Sequence, residues 1–301
     1  MRTLCLFLAL ILLALVAMAG LTYPAWLLLH PHFGFPFHRI ADRIGMLALA
    51  LGCVALARPL GLTNRTSLGY GVPPRVFARE LLVAFSLGLP SMASIVLVMA
   101  FMHLRMWKGG APPDAATLAG IAGLALQRGF AVAVIEETFL RGAVFTGIAR
   151  ESGTRFAIVV TSLLYAVTHF VGRYHIPAAE VSAGSGLALL AGSWRAFTDP
   201  LAILDAFVCL TAVGAVLGVV RALTGHIGAC IGLHASWVFV ITFVRESSLP
   251  NPASPLAFLV SRFDGVVGWL VLAWTLLLGL GFYRFYAARA ARAPLKPYPA
   301  G

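Results

Sequence analysis

Charge is what this chain has least of. Only 11% of its 301 residues are charged, with 11 acidic side chains against 22 basic ones, while 60% are hydrophobic. The mean hydropathy is +0.92. Soluble domains carry about 25% charged residues, so a soluble globular protein is excluded and a polytopic membrane protein implied. Cysteine is sparse too. The four (Cys5, Cys53, Cys209, Cys230) fall in apolar stretches and form no C-x-x-C pair. They read as small buried hydrophobes, with neither a disulfide framework nor a thiolate metal site. There is no compact basic run with interleaved aromatics, so the net charge of +11 points to cationic cytoplasmic loops and not to nucleic acid. Internal repeats and low-complexity tracts are also missing, including the inverted repeats that mark many transporters.

What is present is a row of apolar segments. Spans are predicted at 3–22, 43–57, 81–102, 118–148, 156–171, 201–223, 227–244 and 265–286, an all-α fold of about eight transmembrane helices. Ala17-Met18-Ala19 in the first span resembles a signal-peptidase site. The apolar run continues past it to Leu21, and Trp26 follows as an interfacial anchor, so the span is expected to be an uncleaved anchor. Loops are expected at 30–42, at 58–80 with Arg58, Arg65, Arg75 and Arg79, at 105–114, and after Val244. The stretch 172–200 is expected to be an interfacial or re-entrant piece. More Lys and Arg, Arg221 and Lys296 among them, fall on the face that carries Arg2 than on the face with Arg105 and Arg173. Both termini are therefore expected in the cytoplasm, the setting being a bacterial plasma membrane. The chain divides into N-terminal helices (1–117), a core (118–245) and a C-terminal loop, span and tail (246–301).

The core holds residues that membrane spans avoid. Glu136-Glu137-Thr138-Phe139-Leu140-Arg141-Gly142 lies inside the fourth span, where ionisable groups are costly and mark pairing or function. On an α-helix Glu137 and Arg141, four apart with the glutamate first, form a favourable ion pair. Glu136 is rotated about 100° away and left for chemistry. His169 ends the next span, one turn after Tyr165 on the same face. His234 lies in the seventh, with His226 and Cys230 at four-residue intervals before it. At ~1.5 Å per residue, Glu136 lies ~18 Å, His169 ~20 Å and His234 ~10–12 Å from the inner ends of their spans. Allowing for helix tilt, the three can meet near the middle of the bilayer.

Such a trio suffices for peptide hydrolysis. Glu136 would act as general base on a water, one histidine would hold that water and pass its proton to the leaving amine, and the other would donate to an oxyanion. Plainer readings exist: histidines as interhelical hydrogen-bond contacts, and Glu-Glu-Arg as a structural ion-pair knot. Tyr165 reads as packing, and Arg128 as a carboxylate partner or a lipid anchor. No carboxylate flanks the His226, Cys230, His234 stripe at helical spacing, so neither a metal nor another cofactor is expected.

E-E-x-x-x-R, then aromatic-x-x-x-H, then I-G-L-H-A-x-W together resemble the CPBP family over roughly 118–245. These are the CAAX prenyl endopeptidases and the bacteriocin-processing or immunity-related proteins of the intramembrane glutamic protease type. The resemblance implies that Glu136 activates water with His169, that His234 helps to hold the oxyanion, and that Glu137 and Arg141 support them. Two positions depart from the family pattern. Tyr165 stands where Phe is usual, and Val238 stands where Asn or Asp usually follows the third-motif histidine. Valine cannot hydrogen-bond, and losing one oxyanion donor costs about 10²–10³ in rate. Trp237 or a backbone group would have to substitute, since Ser236 has the wrong helical spacing. The expected function is an intramembrane endopeptidase acting on a membrane-associated or lipid-modified peptide through a glutamate-activated water. Its partners are that peptide and the bilayer. The alternatives are a non-proteolytic scaffold or immunity-type factor of the same fold, favoured by Val238, and a small transporter using Glu136 as its ion site.

Overall fold

The computed structural model describes residues 2–171 and 174–292. Arg173 and Lys296, both used above for orientation, lie outside them. The helices are α1 (Arg2–Phe33), α2 (Phe37–Ala57), α3 (Pro74–Phe101), α4 (Ala115–Glu137), a π-helical segment (Thr138–Val144), α5 (Phe145–Ser152), α6 (Thr154–Phe170), α7 (Ser185–Ser193), α8 (Pro200–Thr224), α9 (Gly228–Ser247) and α10 (Trp269–Arg292). Among the described residues, 7 helices are long and apolar enough to cross a membrane, the run Ala115–Ser152 counting as one. The fifth predicted span, at 156–171, is α6, apolar but only 17 residues long. The protein is an all-α integral membrane protein.

Several boundaries differ from those expected. The predicted loop at 30–42 shrinks to 34–36, because α1 continues through Pro24 and Pro31 to Phe33. Proline inside an apolar helix is tolerated where neighbouring groups meet the freed carbonyls. α3 starts at Pro74, with proline in the first helical turn, which puts Arg75 and Arg79 on a helix and not in the basic loop. A short ribbon pairs β1 (Arg105–Trp107) antiparallel with β2 (Ser248–Pro250). Cys5 stands exposed on α1 instead of buried, and Cys53 is half-buried; only Cys209 and Cys230 are the buried hydrophobes expected.

The chain forms two compact units, Met1–Thr63 with Val167–Ala202, and Asn64–Ala166 with Ile203–Gly301. In the first, α1 packs on α2 and on α7, around Met18, Phe37, Ala41 and Leu189. The segment expected to be interfacial or re-entrant thus contributes a short helix lying on α1. In the second, α9 runs between α3 and α4 and is the most buried of the candidate spans.

Small residues set those crossings. A Cβ on Gly232 would lie 2.2 Å from the Leu81 carbonyl oxygen, and one on Gly129 2.6 Å from that of Ala235. With no water to expel between helices in a bilayer, such backbone approach is what holds them together. Gly232→Ala is expected to push α9 off α3 and to cost about 1–3 kcal/mol. The measurement is the thermal midpoint in detergent, with Gly120→Ala as control, since no atom lies within 4 Å of a Cβ there. A midpoint unchanged in Gly232→Ala would mean that the two helices separate freely.

Candidate active site

α4 begins at Asp114, whose carboxylate accepts the Thr117 amide at 2.7 Å. That bond, with the Thr117 hydroxyl adding to it, holds the Asp114 carboxyl below its usual range. The α ladder runs to Glu137 and then widens to the π form through Thr138–Val144. Single π turns inside α-helices recur at functional sites. Two neighbours press on this one. Tyr70 bonds the Thr138 hydroxyl at 2.6 Å, and the Leu68 carbonyl lies so near Gly142 that a Cβ there would sit 2.7 Å from it. The Phe145 amide reaches the Leu140 and Gly142 carbonyls and passes over that of Arg141. The Arg141 carbonyl instead accepts from Arg221 Nε at 3.0 Å. Arg221, counted above as an inner-face charge, is fully buried.

The expected ion pair is present: Arg141 Nη1 lies 3.3 Å from Glu137 Oε1, and both side chains are 0% exposed. Arg141 Nη2 also donates to the Gly214 carbonyl at 3.0 Å, and the guanidinium sits 5.0 Å from the centre of the Tyr165 ring. The same Glu137 oxygen lies 2.9 Å from Nδ1 of the buried His234. A carboxylate paired with arginine can only accept, so Nδ1 carries a proton and the imidazole is held in one tautomer. Nε2 is left facing Tyr165 Oη at 3.4 Å and Glu136 Oε2 at 4.0 Å. Glu136 differs sharply from its neighbour, with 33% of its side chain exposed.

Glu136, Glu137, Arg141 and His234 are therefore brought together. Tyr165, read from the sequence as packing, belongs to the same cluster; its signal was the aromatic-x-x-x-His spacing. His169 lies on α6 four residues past Tyr165, one turn along the same helical face. Arg128 is a carboxylate partner, paired with Glu246 at 2.7 Å.

The cysteine–histidine stripe comes apart. His226 Nδ1 accepts from the Gly228 amide at 3.2 Å, and Cys230 donates to the Leu217 carbonyl at 3.4 Å. Burial pushes the His226 pKa down, with Glu80 opposing and Arg221 and Arg289 adding to the shift. Among the described residues no group of three or more His, Cys, Asp or Glu side chains is placed to hold a metal ion.

Beside His234 and Tyr165 opens a small cleft, walled by Leu210, Val213, Val238, Ile241, Trp274 and Phe282. Val238 thus faces the same space as His234, one turn along α9. The side chains considered as its substitutes are engaged elsewhere: Ser236 donates to the Leu233 carbonyl at 2.7 Å, and Trp237 Nε1 to Ser91 Oγ at 3.2 Å.

Residues 118–240, about two fifths of the chain, match the family described as Rce1-like, type II CAAX prenyl endopeptidase. This segment is a CAAX-protease (CPBP) family domain. Comparison with curated proteins finds no match, and neither does comparison with solved structures. The CAAX-protease domain opens on α4 and closes on α9, so the whole Glu136, Glu137, Arg141, Tyr165, His234 cluster falls inside it, with His169 and Val238. At the level of the family it is an endopeptidase domain of the CAAX type, carried here by an integral membrane protein.

Proposed function

We propose that the CAAX-protease domain hydrolyses a peptide bond in a membrane-associated or lipid-modified peptide, using a water activated by Glu136. The observation that carries this reading is the buried chain Arg141, Glu137, His234, which ends at the half-open carboxylate of Glu136. Glu136 takes a proton from the water as the water oxygen bonds to the scissile carbonyl carbon. Glu137 holds His234 through Nδ1, and the ring donates from Nε2 to the oxyanion when both its nitrogens carry protons. When the tetrahedral intermediate collapses, His169 passes the proton from Glu136 to the departing amine. Glu137 and Arg141 do not enter the reaction; they hold His234. Both termini lie in the cytoplasm, a topology supported by the excess of arginine on that face.

A second reading, a non-proteolytic scaffold of the same fold, is favoured by Val238, which gives the cleft an apolar wall one turn from His234. The test is cleavage of a membrane-peptide library by purified protein in liposomes, comparing wild type with Glu136→Gln and His169→Ala, and with a chelator arm. Cleavage lost in both variants and kept under chelator is the expected result. Equal cleavage by all three proteins would trace the activity to a contaminant and sink the protease reading. Silence in all three, with wild type included, would favour the scaffold.

A further inference from the structure

Arg221 and Arg141 are the two largest fully buried side chains among the described residues, yet only Arg141 belongs to a family motif. Arg221 comes from the last turns of α8 and reaches three residues of the motif helix, Arg141, Phe145 and Thr146. Nε donates to the Arg141 carbonyl at 3.0 Å, Nη2 to the Thr146 hydroxyl at 3.3 Å, and the guanidinium covers the Phe145 ring at 5.5 Å. We infer that Arg221 is a positioning residue of the active site: by occupying the Arg141 carbonyl it keeps the π turn open, and so sets the Arg141, Glu137, His234 chain.

In an α-helix the Phe145 amide would bond the carbonyl four residues back, that of Arg141. Here it bonds Leu140 and Gly142, and the bypassed carbonyl is buried, where a polar group needs a partner. Arg221 Nε is that partner. If it is withdrawn, the Phe145 amide can close onto Arg141. The extra residue must then leave the turn, rotating one side of the motif against the other by up to about 100°. Glu137 and Arg141 would no longer face His234 together. A lysine at 221 keeps the charge but lacks the planar fork that reaches a carbonyl and a hydroxyl at once.

The word positioning rests on the proteolytic reading above, so the test has an arm that needs no substrate. Wild type, Arg221→Lys and Thr146→Val are prepared with ¹⁵N-labelled histidine, His234 being assigned with a His234→Gln variant. In wild type the ring is expected to show a protonated Nδ1. In Arg221→Lys that signature is expected to shift toward the Nε2–H tautomer of free imidazole, with helicity by circular dichroism unchanged. Thr146→Val is expected to move the same way by less, and serves if Arg221→Lys does not fold. On a cleaved peptide, Arg221→Lys is expected to lower kcat roughly 10–100-fold with KM held, the usual size of a displacement near 1 Å. A wild-type ¹⁵N signature in both variants overturns the inference whatever the peptide assay gives. A peptide assay silent for wild type, with the signature shifted, leaves Arg221 holding His234 and removes only the proteolytic reading.

Discussion

Glu137→Gln is expected to lower stability by about 3–5 kcal/mol, the cost of stranding one charge of a buried pair. The pair is 0% exposed on both sides, so the orphaned Arg141 guanidinium has no solvent to turn to. The same substitution also releases His234, since an amide can donate as well as accept and no longer dictates which ring nitrogen carries the proton. Turnover should fall roughly 10²–10⁴-fold, the range seen when a catalytic histidine loses its orienting carboxylate. Stability and chemistry separate in the double variant Glu137→Gln/Arg141→Met. With both charges gone, most of the melting temperature is expected to return, because an apolar replacement of a buried pair is often neutral. Turnover is not expected to return. Recovery of turnover in the double variant would show that His234 needs no carboxylate behind it.

Val238→Asn is the second large effect, and it runs upward. Asparagine is close to valine in size, and position 238 borders the cleft, so the change introduces an amide beside His234 at little packing cost. If the oxyanion lacks one donor, restoring it should raise turnover by up to about 10²–10³-fold on a peptide that wild type cleaves slowly. KM should change little, because the donor acts on charge that develops only in the transition state. No gain in kcat would mean that His234 alone holds the oxyanion, and Val238 would then be read as part of a wall shaped for an apolar group of the substrate.

The parts of this site that were legible in the sequence are the parts made by neighbours along the chain. The Glu137 and Arg141 pair follows from a four-residue spacing. The π turn was not legible, because a run of seven residues carries no mark that its ladder will slip; the slip is met by Arg221, 80 residues away. Arg221 itself was counted as an inner-face charge because it stands near the end of its span. The β1–β2 ribbon was invisible for a similar reason: two three-residue strands far apart leave no period to detect. The stretch 30–42 misled in the opposite direction, reading as a loop where α1 runs on to Phe33. The seven long spans, by contrast, were plain from apolar length alone.

The spacing of the ion pair has a consequence for how the protein is made. Glu137 and Arg141 leave the ribosome together, whereas His234 follows Glu137 by 97 residues, a delay of roughly 5–20 s at ordinary rates of synthesis. Through that interval α4 must enter the bilayer without the histidine. A lone charge at the centre of an inserting helix costs about 2.5–3.5 kcal/mol on insertion scales. Because its two charges sit one turn apart and neutralise each other, the motif helix crosses as a single self-contained unit, and the Glu137–His234 contact is made only when α9 arrives.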